Sequence, residues 1–403
     1  MPDHPTRDSI RLMDGRWYQG VPLDDYAWMR ENAPVYFDEA SGVWGVSRHA
    51  DIMQMSKTPS LFCSGKSSRP EEGSWIPSMI NFDDPQHKRR RNLVNRGFTP
   101  RRVDDHEQSI RTLCRELVDA VCERGSCEFV REIAAPLPMA IIGDMLGVQP
   151  EDRDQLLEWS DDLVTASGNT DPVAQEKSAK AAIAWMAYAQ DVIRDRRSKP
   201  LQEDLISILC HSEIDGEKLE DEEIIQESLL ILVGGDETTR HVIVEGMEAL
   251  VRNPDQRQRL IEDPSRIPLA VEEMLRWVSP IKNMNRTATQ DTEYAGQKIR
   301  EGDRLLLLYH AGNRDGEAFE DPDAFRVERD PNNHVAFGGY GTHFCLGASL
   351  ARLELRIMFE EILARLPDLE IVPGAELPVR CNNFIVGIEQ MPVTFTPSRP
   401  SAT

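Results

Sequence analysis

Apolar residues along most of the chain recur at the spacing of helix faces, not of strands. From residue 106 to 122 they fall at Ile110, Leu113, Leu117, Val118 and Val121, which predicts an amphipathic helix. Residues 220–251 form a longer helical stretch whose acidic start suits the positive end of a helix dipole. Residues 272–277 belong to another helix, stopped by Ser279-Pro280. From 350 to 366, Leu350, Leu353 and Ile357 share one face, with Arg352, Glu354, Arg356 and Glu360 elsewhere. Two regions read as β. Residues 34–37 and 43–46 flank a Glu-Ala-Ser-Gly turn and predict a hairpin, and 383–386 with 392–396 predict a second small sheet. No repeat, low-complexity tract or Gly/Ser linker divides the chain. The expectation is one mainly α domain over 1–403, with β-rich portions near 34–47 and 383–396.

Composition narrows the function classes. At 403 residues and 40% hydrophobic content the chain can bury a large core. A net charge of −23 argues against nucleic acid, whose phosphates need a basic surface. The first residues carry no apolar run, and the longest such run, 229–233, is too short to span a bilayer. A soluble, cytoplasmic protein without a membrane anchor is expected. Seven cysteines at irregular spacing suggest neither a disulfide framework nor structural zinc. Cys122 and Cys127 read as ordinary thiols. One local run breaks the acidic balance: Lys88-Arg89-Arg90-Arg91, followed by Arg96, Arg101 and Arg102. It reads as a solvated helix face, a docking patch for an acidic partner or a site for an anionic cofactor.

The densest chemical signal is His-Val-Ala-Phe-Gly-Gly-Tyr-Gly-Thr-His-Phe-Cys-Leu-Gly, residues 334–347. Its glycines allow a tight turn and close approach to a flat ligand. Cys345 directly precedes a helix, where backbone N–H groups stabilise an anion. A thiolate there is a strong axial ligand for haem iron and favours O–O cleavage. A cysteine taken alone is more often an inert core residue, and a zinc site built on His343 and Cys345 lacks two further ligands. A second signal is Gly234-Gly235-Asp236-Glu237-Thr238-Thr239 inside the long helix. Each interior glycine costs about 1 kcal/mol against alanine, so the pair serves either close helix packing or a groove.

The 334–347 segment resembles the haem-binding loop of the cytochrome P450 superfamily: aromatic, Gly, any, Gly, any, His, any, Cys, any, Gly. Counted back from Cys345, the aromatic position falls on Gly338, with Phe337 one residue earlier. The loop therefore holds one extra glycine, which bears on how Phe337 packs near the sulfur. The resemblance implies a P450 fold and haem b (iron protoporphyrin IX) with Cys345 as axial ligand to the metal. Phe337, Gly339 and Gly347 would shape the loop, while His343, His87, Arg91 and Arg286 would hold the propionates. Glu237 and Thr238 match the family's acid and alcohol, Thr238 holding dioxygen and its water, Glu237 relaying protons. Glu273-Met-Leu-Arg276 resembles the family's Glu-x-x-Arg pair, completed by Arg329, and is assigned to architecture.

The implied reaction inserts one atom of dioxygen into a C–H bond, with the other leaving as water. Electrons would come from NAD(P)H through a separate ferredoxin reductase and ferredoxin, docked at 88–91 with Arg352 and Arg356. Residues 135–147, 272–286 and 381–392 look like actinobacterial P450s that oxidise the side-chain terminus of cholesterol and cholestenone. Candidate substrate contacts are Val233, Gly234, Ile281, Met284, Phe384 and Ile385, each equally readable as plain core. Hydroxylation of another lipid, a terpenoid or a polyketide stays open. So does a haem-binding ligand sensor, against which the Glu237-Thr238 pair argues.

Overall fold

Residues 304–308, Arg-Leu-Leu-Leu-Leu, carry the apolar run expected of a strand covered on both faces. In the computed structural model, which describes residues 4–71, 73–214 and 216–400, the strand Arg304–Leu308 is central to a five-stranded sheet. It runs parallel to Val43–Val46 and antiparallel to Asn283–Ala288. The predicted hairpin forms the sheet's edge, with Val35–Asp38 antiparallel to Val43–Val46. The outer ends of the expected 1–403 domain lie outside the described residues.

The second predicted sheet is half right. Pro392–Thr394 pairs with Glu370–Ile371 and Ser126–Glu128. Residues 383–386 are not a strand, and Ile385 makes only an isolated bridge to Ile281. The cause is local: Asn382 Oδ1 accepts from the N–H of Phe384 at 2.7 Å and of Ile385 at 3.0 Å. An asparagine that satisfies the backbone two and three residues on bends the chain out of a ladder.

The helices follow the periodicity closely: Glu107–Cys122, Asp221–Arg252, Ile267–Val278 and Ala348–Arg365. Asp221–Arg252 opens on a capping box between Glu220 and Glu223 and, at 32 residues, runs about 48 Å. Pro136–Leu146, Ile267–Val278 and Ala348–Arg365 pack against it. Pro136–Leu146 is apolar nearly all round, as a helix inside the core must be. No helix among the described residues is long and apolar enough to cross a membrane. All seven cysteines are free, with Cys122 buried and Cys127 half-buried.

The Glu-x-x-Arg pair is buried inside the fold. Arg276 Nε and Nη2 each donate to Glu273 at 2.8 Å, and Arg329 Nε donates to Glu273 Oε2 at 3.0 Å. Both members of the first pair are fully buried. The remaining guanidinium donors reach carbonyls of Asn313, Glu320, Pro322 and Ala324. One carboxylate thus pins a helix to the long irregular segment that leads to Cys345.

Candidate active site

Cys345 stands just before the helix Ala348–Arg365, and the N–H groups of Gly347 and Ala348 face its sulfur. Burial pushes the thiol pKa up; those N–H groups and the charges of Arg91 and Arg352 pull it back. Cys345 keeps exposed surface and lines the cavity described below. The loop is closed by Cys345 N donating to Phe337 O at 3.0 Å.

The extra residue is absorbed by two left-handed positions, Gly338 at φ +95° and Tyr340 at φ +57°. Phe337 consequently keeps its place on the cavity wall, with the Arg352 guanidinium 4.6 Å from its ring centre. Gly339 stands off the cavity. A Cβ there would lie 2.3 Å from Ser56 Oγ, so this glycine permits contact with the helix His49–Ser56 and does not line the cavity. Gly347 does line it.

The four expected anion-binding residues come together from three segments, His87 and Arg91 from one helix, Arg286 from a strand and His343 from the cysteine loop. His87, Arg91, Arg286 and His343 all line the cavity, with the rings of His87 and His343 4.1 Å apart. His87 Nδ1 lies 3.3 Å from Asp84 Oδ1. Arg91 donates to the carbonyls of Thr342 at 3.2 Å and Phe344 at 2.5 Å, tying its helix to the cysteine loop. Burial, then the charges of Arg286, His87 and Arg91, depress His343 to about 2, so its imidazole is neutral. Burial likewise lowers His87. Among the described residues the cavity wall holds a single carboxylate, Glu354. Two arginines in a largely apolar wall with one carboxylate call for anions from outside the chain. A flat, apolar ligand with two carboxylates and a metal above the sulfur fits this donor set.

The cavity encloses about 270 Å³. All six candidate substrate residues line it: Val233, Gly234, Ile281, Met284, Phe384 and Ile385. Ser68, Met79, Ile80 and Phe98 complete the wall from segments whose sequence has no periodicity to read. Gly234 leaves open space beside the helix, whereas a Cβ on Gly235 would meet Ile142 at 2.8 Å. Thr238 lines the groove and donates to Gly234 O at 2.8 Å, and Thr239 lines it too.

Glu237 does not reach the cavity. At about 100° per residue, Glu237 points well round the helix from its neighbour Thr238, and only Thr238 lines the cavity. Glu237 is fully buried against Arg240 at 2.6 Å and Arg380 at 2.7 Å, with His241 at 3.5 Å. Arg240 and Arg380 continue to Asp161 at 2.7 and 3.0 Å. Burial favours the neutral acid, but these cations outweigh it and hold the Glu237 carboxyl well below its usual range. The basic run also divides. Lys88 and Arg89 are exposed, Arg90 is buried with Glu223 and Glu227, and Arg91 belongs to the cavity. Arg352 and Arg356 are half-buried, paired with Glu272 and with Glu107 and Glu360. Arg90, Arg352 and Arg356 therefore hold the fold's own carboxylates instead of standing ready for a partner.

Comparison with known proteins decides the family, since the model described as Cytochrome P450 matches residues 74–394. The chain belongs to the cytochrome P450 family. This P450 is 50% identical over 397 residues to a steroid C26-monooxygenase of Mycolicibacterium smegmatis, covering 98% of each chain. It is 37% identical over 391 residues to a methyl-branched lipid omega-hydroxylase of Mycobacterium tuberculosis, covering 92% of this chain and 90% of that one. Among solved structures, a Mycobacterium marinum cytochrome P450 in complex with pseudoionone superposes with a TM-score of 0.89. It has 33% identity to this P450, with coverage of 98% of this chain and 100% of that one. The protein is a monooxygenase whose cofactor is haem.

Proposed function

We propose that this P450 hydroxylates the terminal side-chain carbon of a sterol such as cholesterol or cholest-4-en-3-one. The observation that carries the reading is its full-length, 50% identity to a steroid C26-monooxygenase. The cavity supports it, because its lining beyond Thr238 is dominated by apolar side chains able to enclose a long aliphatic tail. Cys345 would be the iron ligand, and Arg91, Arg286, His87 and His343 would hold the propionates. Haem bound there supplies dioxygen activation with two electrons from NAD(P)H, one oxygen atom entering the C–H bond and the other leaving as water. Thr238 presents its hydroxyl to the groove beside Gly234, where it can orient a water or the oxygen substrate. Val233, Ile281, Met284, Phe384 and Ile385 would exclude water and orient the tail. The electron donors would be a ferredoxin and its reductase, meeting the surface that exposes Lys88 and Arg89.

The test is optical. Reduced protein exposed to carbon monoxide is expected to show the thiolate-specific band, and Cys345→Ser to lose it. Titrating oxidised protein with cholest-4-en-3-one is expected to shift the iron to high spin. A thiolate band without the sterol shift would refute the substrate and keep the enzyme.

A further inference from the structure

Arg69, a few residues after the short strand Phe62–Cys63, carries a charge into the protein just behind the cavity wall. Its side chain is 12% exposed. Nη1 donates to Asn283 O at 3.3 Å and to Asn283 Oδ1 at 3.0 Å. Nη2 donates to Asn383 Oδ1 at 2.9 Å and to Glu71 Oε1 at 3.2 Å. The guanidinium carbon sits 4.2 Å from the centre of the Phe384 ring. The partners also hold one another: Asn283 Nδ2 donates to Asn383 O at 2.7 Å, and Asn383 Nδ2 to Glu71 Oε1 at 3.0 Å. Arg69 Nε is buried without a partner, so one hydrogen bond is forgone to keep this position. Arg69 does not itself line the cavity. Ser68 beside it, Met284 beside Asn283, and Phe384 all do. Arg276 differs in this respect, since none of its partners lies on the wall. Residues 383–386 form no strand, so side chains must help to fix the Phe384 ring.

We propose that Arg69 is a positioning residue that determines which carbon of a chain-shaped substrate is oxidised, by fixing the Phe384 ring and the strand of Met284 as one wall. In a saturated chain the C–H bonds of a terminal methyl group are the strongest, so an oxidant free to choose takes an internal carbon. Terminal oxidation therefore needs a wall that stops the chain from sliding along its length. Apolar contacts alone are non-directional and hold a ring loosely in angle. A cation over a ring face is directional, and it counts for more when desolvated, as here. Fork-shaped bonds to Asn283 on one side and to Asn383 and Glu71 on the other keep that cation still, which a lysine ammonium cannot copy. The choice of carbon deepens the terminal-hydroxylation reading and rests on it; the clamp on the wall does not.

Two probes of the haem-loaded protein separate the wall from the metal end. N-methylimidazole reports on the iron site alone, whereas N-dodecylimidazole adds a tail that must lie along the wall. Both are followed by the optical shift on binding. Arg69→Gln is expected to weaken the dodecyl probe on the order of tenfold, within the range for residues coupled in one network, and to bind the methyl probe as the parent does. With cholest-4-en-3-one, the share of product oxidised at internal carbons is expected to rise in the same variant. Phe384→Leu should give the same long-probe loss, and Arg69→Gln added to it should cost little more, because the ring through which Arg69 acts is gone. Equal loss of both probes would mean general damage and overturns the proposal. A parental affinity for the dodecyl probe, or strict additivity with Phe384→Leu, overturns it as well. Should Arg69→Gln not take up haem, Arg69→Lys keeps the countercharge of Glu71, loses the fork and carries the same readouts. The imidazole pair needs no sterol, so failure of the substrate reading and failure of the clamp are told apart.

Discussion

Alanine at Gly234 and alanine at Gly235 are the same chemical change at neighbouring positions of one helix, and they should have opposite effects on stability. Each replacement removes the entropic cost of an interior glycine, about 1 kcal/mol. At Gly234 a Cβ meets no protein atom within 4 Å, so Gly234→Ala keeps the whole gain. At Gly235 the Cβ would lie 2.8 Å from both Cδ1 and Cγ1 of Ile142 and 3.3 Å from its Cβ. The entire isoleucine must move, inside a helix that is buried nearly all round. Overpacking of that kind costs about 1–3 kcal/mol, leaving Gly235→Ala between neutral and about 2 kcal/mol destabilised. Urea midpoints at unchanged slope, followed by tryptophan fluorescence, measure both. The double variant Gly235→Ala/Ile142→Val removes the Cδ1 that the new methyl strikes and should be more stable than the sum of its parts. Midpoints that move the same way for both glycines, or strict additivity in the double variant, would refute the reasoning. Gly234→Ala has a separate functional signature, since its methyl enters the cavity beside Thr238 and should weaken the spin shift on ligand binding.

Three further outcomes are expected. Glu273→Gln leaves Arg276 and Arg329 buried without their countercharge, which should cost about 3–5 kcal/mol in urea unfolding; a loss below about 1 kcal/mol would mean that the surrounding carbonyls suffice. Burial pushes the Glu354 carboxyl to about 8 in the folded chain against about 4.3 unfolded, so its stabilising contribution is complete at low pH and is lost as pH rises between those values. Glu354→Gln should therefore gain on the parent progressively from about pH 4 to pH 8, and a pH-independent difference would contradict the burial argument. Lys88→Glu with Arg89→Glu should slow reduction by a ferredoxin, most at low salt, without changing reduction by a small chemical reductant; equal ferredoxin rates would remove this face from electron transfer.

The parts of this site that were legible in the sequence are those whose chemistry needs a fixed local spacing. Cys345 before a helix, Glu273 three residues from Arg276, and His87 four from Arg91 each place their side chains by backbone geometry alone. The six candidate substrate residues reached the cavity because they neighbour such anchors in sequence. Glu237 lies off the cavity for the complementary reason. Its position in the motif was right, but which way a helix residue faces depends on partners 79 and 143 positions away from the long helix, Asp161 with Arg240 and Arg380 with Glu237. The burial of Asp236 and Glu354 was invisible in the same way, since a carboxylate in an amphipathic pattern reads as solvent-facing until the neighbouring helices are in place. Residues 383–386 misled by their apolar content, because the Asn382 side chain takes the N–H groups of Phe384 and Ile385 and leaves only an isolated bridge from Ile385 to Ile281.

The two ends of the cavity are built from materials that mutate on different terms. Its metal end depends on charges that lock one another in place, Glu273 with two arginines and Arg91 with the cysteine loop, where a single replacement strands a buried partner. The rest of its wall includes short apolar surfaces offered by a 3-10 turn, a strand and a bend: Met79 and Ile80, Met284, Phe384 and Ile385. Exchanging one such side chain for another alters volume by a few methylene groups and leaves no ion unpaired. Lineages descending from this chain can thus drift in what they oxidise while inheriting how they oxidise it, and substrate preference should diversify much faster than iron coordination.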